Sequence, residues 1–195
     1  MPAFKSVCVF CGSSSGRDPA YIEAARAFGE SLGREKIRLV YGGGHVGMMG
    51  TLSDAVMNAG GHVLGIIPEF LVAREHAREG KNELKVVRDM HERKRVMVEK
   101  ADAFVALPGG VGTLEELVEQ LTWLQLDRHQ KPILLANIKG YWNPLIALFQ
   151  HMQSEKFLYD GVRYLVADRA EQIVPKLRAA VEAQDESAKA VAGGM

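Results

Sequence analysis

The chain has 195 residues, of which 47% are apolar and 25% charged, and its 24 Lys and Arg residues balance its 24 Asp and Glu residues. This composition is typical of one soluble globular domain, and the zero net charge argues against a nucleic-acid or anionic-membrane partner. No apolar stretch approaches the ~20 residues that cross a bilayer, and the first residues do not resemble a secretory signal. We therefore expect a cytoplasmic protein with no membrane contact.

Seven short runs of β-branched and apolar residues predict strands. Five are clear (Val7–Phe10, Arg38–Tyr41, Val63–Ile67, Ala103–Leu107 and Ile133–Ala136), while Leu84–Val87 is a candidate edge strand and Tyr164–Val166 a candidate last strand. Apolar residues at helical spacing fill the intervals, in stripes that begin at Tyr21, Met48, Leu114 and Leu145. Strands alternating with helices predict the fold class α/β: a Rossmann-like, doubly wound parallel sheet with helices on both faces.

The order of elements shows no internal repeat and no linker. We expect residues 1–183 to form a single domain and residues 184–195 a flexible C-terminal tail. The charged segment Ala73–Glu83 lacks periodicity and predicts a solvated loop, with a flap beside a binding site as the alternative. Cys8 and Cys11 form a C-x-x-C, but residues three apart on a strand face opposite sides of the sheet. We expect two buried thiols rather than a redox pair or a zinc site.

Three predicted strands end in turns of small residues. The turns are CGSSSG (Cys11–Gly16), YGGGHVGMMG (Tyr41–Gly50) and LPGGVGT (Leu107–Thr113). In a doubly wound sheet, ligands bind beyond the carboxyl ends of the strands, and the amides of helix starts favour anions such as phosphate. One such turn has a purely steric explanation. Three at one sheet edge favour a phosphorylated ligand.

The second turn offers an alternative function. Gly42, Gly44 and Gly47 fit the dinucleotide signature G-x-G-x-x-G, with Glu69 just past the next strand, so a NAD-dependent oxidoreductase is one candidate. This turn follows the second strand rather than the first, however, and the turn after Leu107 is as rich in glycine. One phosphate held between loops suits a mononucleotide better.

Two motifs carry a resemblance to a known family. The sequences PGGVGTLEE (Pro108–Glu116) and MHERK (Met90–Lys94), with the first two turns, resemble the LOG (Lonely Guy) family of cytokinin-activating phosphoribohydrolases over about Val7–Leu177. The resemblance implies hydrolysis of the N-glycosidic bond of N6-modified AMP (N6-prenylated AMP, for example), and often of AMP, to free base and ribose 5-phosphate. It implies no cofactor, and a homodimer or higher homo-oligomer whose sites borrow residues from the neighbouring subunit. Many such proteins carry the label lysine decarboxylase, but no lysine here has a convincing pyridoxal-phosphate setting.

The resemblance also assigns roles to residues. The catalytic pair would be Arg93 and Glu116. Phosphate and substrate would be held by Gly109, Gly110, Gly112 and Thr113, with Lys94 and Glu75 lining the nucleotide pocket and Ser13, Gly43 and Gly44 as further binding residues.

The helical phase distinguishes the two adjacent glutamates. A helix that begins at Thr113 and buries its leucine stripe leaves Glu115 and Glu119 facing water and Glu116 at the boundary between core and cleft. A carboxylate there can stabilise positive charge on a ribose and activate a water. Thr113-x-x-Glu116 is also a capping box, in which the glutamate bonds the helix start. The residues by themselves do not choose between these two roles.

Arg93 also has two interpretations. It lies in the charged turn Glu92–Arg95, and such turns usually face solvent. Three cations near a helix start oppose the helix dipole, a local cost that anion binding would explain. A nonenzymatic carrier of a nucleotide or phosphorylated cofactor is the main alternative function, since it needs the glycine turns but not Arg93 with Glu116. The six histidines lack metal-ligand spacing, and we predict no metal.

Overall fold

The computed structural model describes residues 4–73, 83–158 and 162–192. Its strands are β1 Ser6–Phe10, β2 Arg38–Tyr41, β3 Val63–Pro68, β4 Glu83–Val87, β5 Ala103–Ala106, β6 Ile133–Ala136 and β7 Leu165–Ala167. Its helices are α1 Pro19–Glu35, α2 Gly47–Asn58, α3 Glu69–Val72, α4 Met90–Glu99, α5 Val111–Gln125, α6 Asn143–Ser154 and α7 Ile173–Ala192. The predicted strands are confirmed, with β7 displaced by one residue.

These strands form one parallel sheet in the order β4-β3-β2-β1-β5-β6-β7, so the α/β doubly wound fold is confirmed. β1 pairs with β2 on one side, Val7 opposite Leu39, and with β5 on the other, Val7 opposite Ala103. The helices that follow β1 and β5 pack on opposite faces of the sheet, because Phe28 of α1 and Leu117 of α5 belong to different apolar layers. The connections that leave these two neighbouring strands therefore diverge and open a crevice at their carboxyl ends.

An apolar layer covers each face of the sheet. One layer packs α1, α2 and α7 on the strands, and the other packs α4, α5 and α6. The alternation along β1 places Cys11 in the first layer and Cys8 in the second. Both thiols are buried and neither forms a disulfide. Burial, reinforced by the negative charge of Glu116, raises the pKa of Cys8 well above its ordinary value, so this thiol stays protonated and unreactive. The prediction of two buried thiols is confirmed.

The last helix extends beyond the predicted domain boundary. α7 continues to Ala192, past the predicted start of the tail at residue 184, and the Gln184 amide donates to the Gln130 carbonyl. The alanines of this stretch favour helix. The division of the chain at residue 183 stays a prediction. Within the described ranges, no helix has both the length and the apolarity of a bilayer span.

Candidate active site

A cavity of about 310 Å³ opens at the carboxyl ends of β1 and β5, a volume near the lower end for small-molecule sites. Its walls come from the end of β1, the turns after β1 and β2, the start of α4 and the first turns of α2 and α5. They are Val9, Cys11, Gly12, Ser13, Gly42, Met49, Met90, Arg93, Gly110, Val111, Gly112, Thr113, Glu115 and Glu116. The fold thus brings the predicted pair, Arg93 and Glu116, to one cavity.

A larger cleft, about 710 Å³, lies between α1 and α2. Four of its side chains form two pairs, Arg34 with Glu30 at 3.4 Å and the His45 ring with Asp54 at 4.0 Å. These are exposed surface contacts of small energetic value. The smaller cavity holds the buried cation and the helix start, and we place the site there.

Arg93 is buried, with only 6% of its surface exposed. Its Nε donates to the Ile66 carbonyl at 3.0 Å and its Nη2 to the Gly42 carbonyl at 2.9 Å, while Nη1 lies 3.6 Å from the Met90 sulfur. The two carbonyls stand at the end of β3 and just after β2. They orient the guanidinium but carry only partial charge, so a full positive charge remains at the cavity wall. Such a site favours an anionic ligand.

The start of α4 explains why Arg93 points inward. The helix begins at Met90 rather than within Glu92–Arg95, because Asp89 caps it: its carboxylate accepts from the Glu92 N–H at 2.8 Å. Glu92 in turn accepts from the Arg88 N–H at 3.0 Å. These backbone hydrogen bonds lower the pKa of both carboxyl groups. The Asp-x-x-Glu spacing is typical of a helix N-terminus. Of the two interpretations of Arg93, its burial excludes the one in which it faces solvent.

The start of α5 removes the capping-box role of Glu116. The helix begins at Val111 with Gly110 as its N-cap, and Thr113 is already in its first turn, 4% exposed. The prediction that the helix starts at Thr113 is wrong, because the glycine turn continues into the helix two residues earlier. Glu116 is therefore not the capping partner of Thr113. It is half-buried at the cavity wall, as the helical phase predicts.

The glycine turn before α5 is tightly packed at one residue and open at two. A Cβ on Gly109 would lie 2.1 Å from the Thr113 hydroxyl and 2.8 Å from the Gly12 nitrogen, whereas Gly110 and Gly112 face open space. The Gly12 N–H also donates to the Pro108 carbonyl at 3.1 Å, which joins this turn to the turn after β1. The first amides of α5 have no partner within the helix. Gly110, Gly112 and Thr113 line the cavity and Gly109 packs behind it.

The turn after β2 borders the cavity at one of its glycines. Gly42 lines the cavity, and a Cβ there would lie 2.2 Å from Arg93 Nη2. Gly43 has φ +80 and packs against Ile67 and Leu84 of the sheet. Neither Gly43 nor Gly44 is part of the cavity wall, while the third predicted loop residue, Ser13, is. The glycines that fit the dinucleotide signature include one that gives Arg93 its space.

Lys94 and Glu75 complete the predicted set. Lys94 Nζ lies 2.5 Å from Glu115 Oε1 and 3.0 Å from Glu119 Oε1, so it ties α4 to α5 and is not part of the cavity wall. Although burial opposes it, the hydrogen bonds with the two glutamates raise the pKa of Lys94. Glu115 is exposed, as predicted, whereas Glu119 is half-buried against Lys94. Glu75 lies outside the described residues, as does most of the segment Ala73–Glu83.

Two residues of the cavity wall were not predicted as site residues. Met49 and Met90 fit the pattern of core methionines, yet both border the cavity beside Arg93. Met49 lies within YGGGHVGMMG and Met90 opens MHERK, and membership in these motifs was the available signal. Across the described residues, no three His, Cys, Asp or Glu side chains cluster as a metal site would require, and the prediction of no metal stays a prediction.

Comparison with known proteins identifies the family. The family model described as "Possible lysine decarboxylase" matches residues 49–177, more than half of the chain. The cytokinin riboside 5′-monophosphate phosphoribohydrolase LOG7 of Arabidopsis thaliana is 50% identical over 176 residues, which cover 89% of this chain and 81% of LOG7. The chain belongs to the LOG family. The phosphoribohydrolase LOG1 of the same plant is 48% identical over 89% of this chain and 83% of its own length.

Membership in the LOG family confirms the resemblance drawn from the two motifs, both of which contribute to the cavity. Solved structures agree on the fold. The molybdenum cofactor binding protein of Rippkaea orientalis has a TM-score of 0.67 at 22% identity, covering 90% of this chain and 96% of its own. The molybdenum cofactor carrier protein of Chlamydomonas reinhardtii has a TM-score of 0.69 at 17% identity, with 91% and 98% covered. At such low identity, these likenesses concern the fold alone.

Proposed function

We propose that this LOG-family chain hydrolyses the N-glycosidic bond of AMP and of N6-modified AMP, releasing the free base and ribose 5-phosphate. The observation that carries the proposal is the shared cavity wall: a buried cation, Arg93, a half-buried carboxylate, Glu116, and the amide-bearing start of α5. The relatives named as cytokinin riboside 5′-monophosphate phosphoribohydrolases support the same substrate class.

The start of α5 would hold the 5′-phosphate. Amides without a helical partner and the helix dipole both favour an anion there, and Gly110 and Gly112 leave open space in front of the backbone. Phosphate binding anchors the substrate away from the reacting bond, and that binding energy holds C1′ in place. Glu116 lies less than two turns further along the same helix. A rigid helix thus carries both the anchor and the reacting group.

Glu116 would act on the ribose. Cleavage of the bond between C1′ and the base builds positive charge on the sugar, which a carboxylate stabilises. Water adds to C1′ as Glu116 accepts its proton, the bonding electrons leave with the base, and the proton passes to the base. A bound phosphate disfavours an ionised carboxylate nearby, and the positive charge of Arg93 opposes that effect. Arg93 is thus the counter-charge that lets phosphate and carboxylate share one small cavity.

The test compares substrates and two matched variants. Purified protein is incubated with AMP, isopentenyl-AMP and adenosine, and base and ribose 5-phosphate are separated by chromatography. We expect adenosine to be cleaved poorly. Glu116→Gln should lower kcat by roughly 10²–10⁴-fold, whereas Glu119→Gln, one turn along α5 and outside the cavity wall, should keep the rate. A Glu116→Gln variant that loses thermal stability but keeps its rate would assign Glu116 a purely structural role.

The alternatives predict other results. A carrier would bind AMP stoichiometrically without releasing base, and a nicotinamide-dependent oxidoreductase would change the fluorescence of NADH on titration. Neither has a use for Arg93 beside Glu116 in one cavity. The likeness to cofactor carriers lies in the fold alone and does not favour the first alternative.

We also propose that the protein is cytoplasmic and forms a homodimer or a higher homo-oligomer. α6 has none of its residues fully buried, and Leu148 on this helix is 45% exposed although apolar. An amphipathic helix with an exposed apolar side chain is suited to contact a second copy. Sedimentation of the protein and of Leu148→Glu tests this: a dimer that the substitution dissociates supports it, and a wild-type monomer at micromolar concentration contradicts it.

A further inference from the structure

Two tyrosines connect the turns on either side of the cavity. Tyr141, which follows β6, donates a hydrogen bond from its hydroxyl to the Gly109 carbonyl. Its ring meets the Tyr21 ring edge-on, with centroids 5.5 Å apart. Tyr21 in turn covers Gly16, where a Cβ would lie 2.8 Å from the tyrosine ring. The pair therefore reaches from the turn after β1 to the turn after β5.

The position of Tyr141 is fixed from its own side. The adjacent Trp142 is buried, its indole N–H donates to the Ala106 carbonyl at 3.1 Å, and its backbone N–H donates to the Asn137 side chain at 2.8 Å. The Tyr141 and Trp142 rings also meet edge-on, with centroids 5.0 Å apart. These contacts anchor the segment to the ends of β5 and β6. The Tyr141 hydroxyl is thus presented to Gly109 from a rigid support.

The hydrogen bond from Tyr141 to the Gly109 carbonyl also restricts the next amide along the chain, that of Gly110. A peptide unit is planar and trans, so the Gly109 carbonyl and the Gly110 N–H point in opposite directions. This peptide joins two glycines, which allow many backbone conformations, and nothing lies within 4 Å of the position of a Gly110 Cβ. A bond to the carbonyl therefore removes freedom that the turn would otherwise have. It fixes the direction of the Gly110 N–H at the helix start that borders the cavity.

We propose that Tyr141 is a positioning residue for the anion-binding turn: its hydroxyl orients the Gly109–Gly110 peptide so that the Gly110 amide is directed to the substrate phosphate. This inference rests on the proposed function. Tyr141 is not part of the cavity wall and acts through the turn. The phosphate, and not the reacting carbon, is the part of the substrate that it affects.

The test is Tyr141→Phe, which removes one hydroxyl and keeps both ring contacts. From the net free energy that one hydrogen bond contributes, we expect KM for AMP to rise roughly three- to tenfold and kcat to change less than twofold. The Kd of inorganic phosphate, measured by calorimetry, should rise by the same factor. The control is Tyr164→Phe: Tyr164 packs on Phe149 at 5.8 Å and lies outside the cavity wall, and neither constant should change.

The outcomes separate this proposal from the hydrolase itself. An unchanged KM and phosphate Kd in Tyr141→Phe would overturn the positioning role, as would a fall in kcat at constant KM. A wild type that cleaves no nucleotide contradicts the proposed function. The calorimetric measurement of phosphate binding still tests the role of Tyr141 in that case. Tighter phosphate binding to wild type than to Tyr141→Phe supports the role, and equal or undetectable binding overturns it.

Discussion

A single methyl group at Gly42 should displace Arg93 without changing its charge. A Cβ at this position would lie 2.2 Å from Arg93 Nη2 and 3.3 Å from the Met49 sulfur, where ordinary contacts begin at 3.4 Å. The guanidinium must therefore retreat by about 1.2 Å, the difference between 3.4 and 2.2 Å. Gly42 does not have positive φ, so alanine fits the backbone itself. Gly42→Ala is a steric probe of one charged group.

The size of the effect follows from the bond that is lost. A shift of this size breaks the 2.9 Å hydrogen bond from Nη2 to the Gly42 carbonyl, and a hydrogen bond of a charged group contributes about 1.5–3 kcal/mol net. If the transition state loses the same free energy because the guanidinium is displaced, kcat/KM falls roughly 10- to 150-fold. Misplacing a catalytic group by about 1 Å is known to cost on the order of 10²-fold. We expect a loss in this range.

The assay is release of base from AMP, with thermal unfolding alongside. Gly29→Ala is the matched control, because its Cβ would lie 2.7 Å from the Leu52 carbonyl, between α1 and α2 and away from Arg93. It should lower Tm and leave kcat/KM within about twofold, since the disturbed packing lies outside the site. A Gly42→Ala protein with wild-type kcat/KM, and a crystal structure showing its guanidinium displaced, would refute the reasoning.

Three further outcomes test other contacts. Lys94→Met removes the cation between two glutamates, so the unfolding free energy in urea should fall by about 1 kcal/mol with kcat/KM nearly unchanged; a raised KM at full stability would place Lys94 on the substrate. Asp89→Ala should lower Tm at neutral pH. Because the backbone hydrogen bond from Glu92 lowers the pKa of Asp89 from 3.8, the difference from wild type should shrink as pH falls below that value. Burial, with Lys131 adding to it, lowers the pKa of His129 from 6.5, so wild type should lose stability as pH falls below about 6.5. His129→Leu should lack that slope, and an unaltered slope would implicate another group.

Local patterns determined most of the fold. Strand positions follow from short β-branched runs. α1 begins at Pro19, after an Asp-Pro pair typical of a helix start, and the Asp18 carboxylate accepts from the Ala20 N–H at 2.9 Å. The opposite facing of Cys8 and Cys11 follows from the period of two along a strand. These features depend on interactions within a few residues, which a sequence displays directly. The motifs likewise singled out Arg93 and Glu116, which the fold brings to one cavity.

The tertiary structure decided how those residues are presented. The sequence near Arg93 does not show that its guanidinium donates to the carbonyls of Gly42 and Ile66, because both residues are far from Arg93 along the chain. Just before α5, Gly109 packs against Gly12, a contact between turns that are neighbours only because β5 pairs with β1. Helix propensity disfavours glycine there, so local reasoning placed the start two residues late. Which charged side chain turns inward is set by partners remote in sequence, and those partners exist only once the sheet has formed.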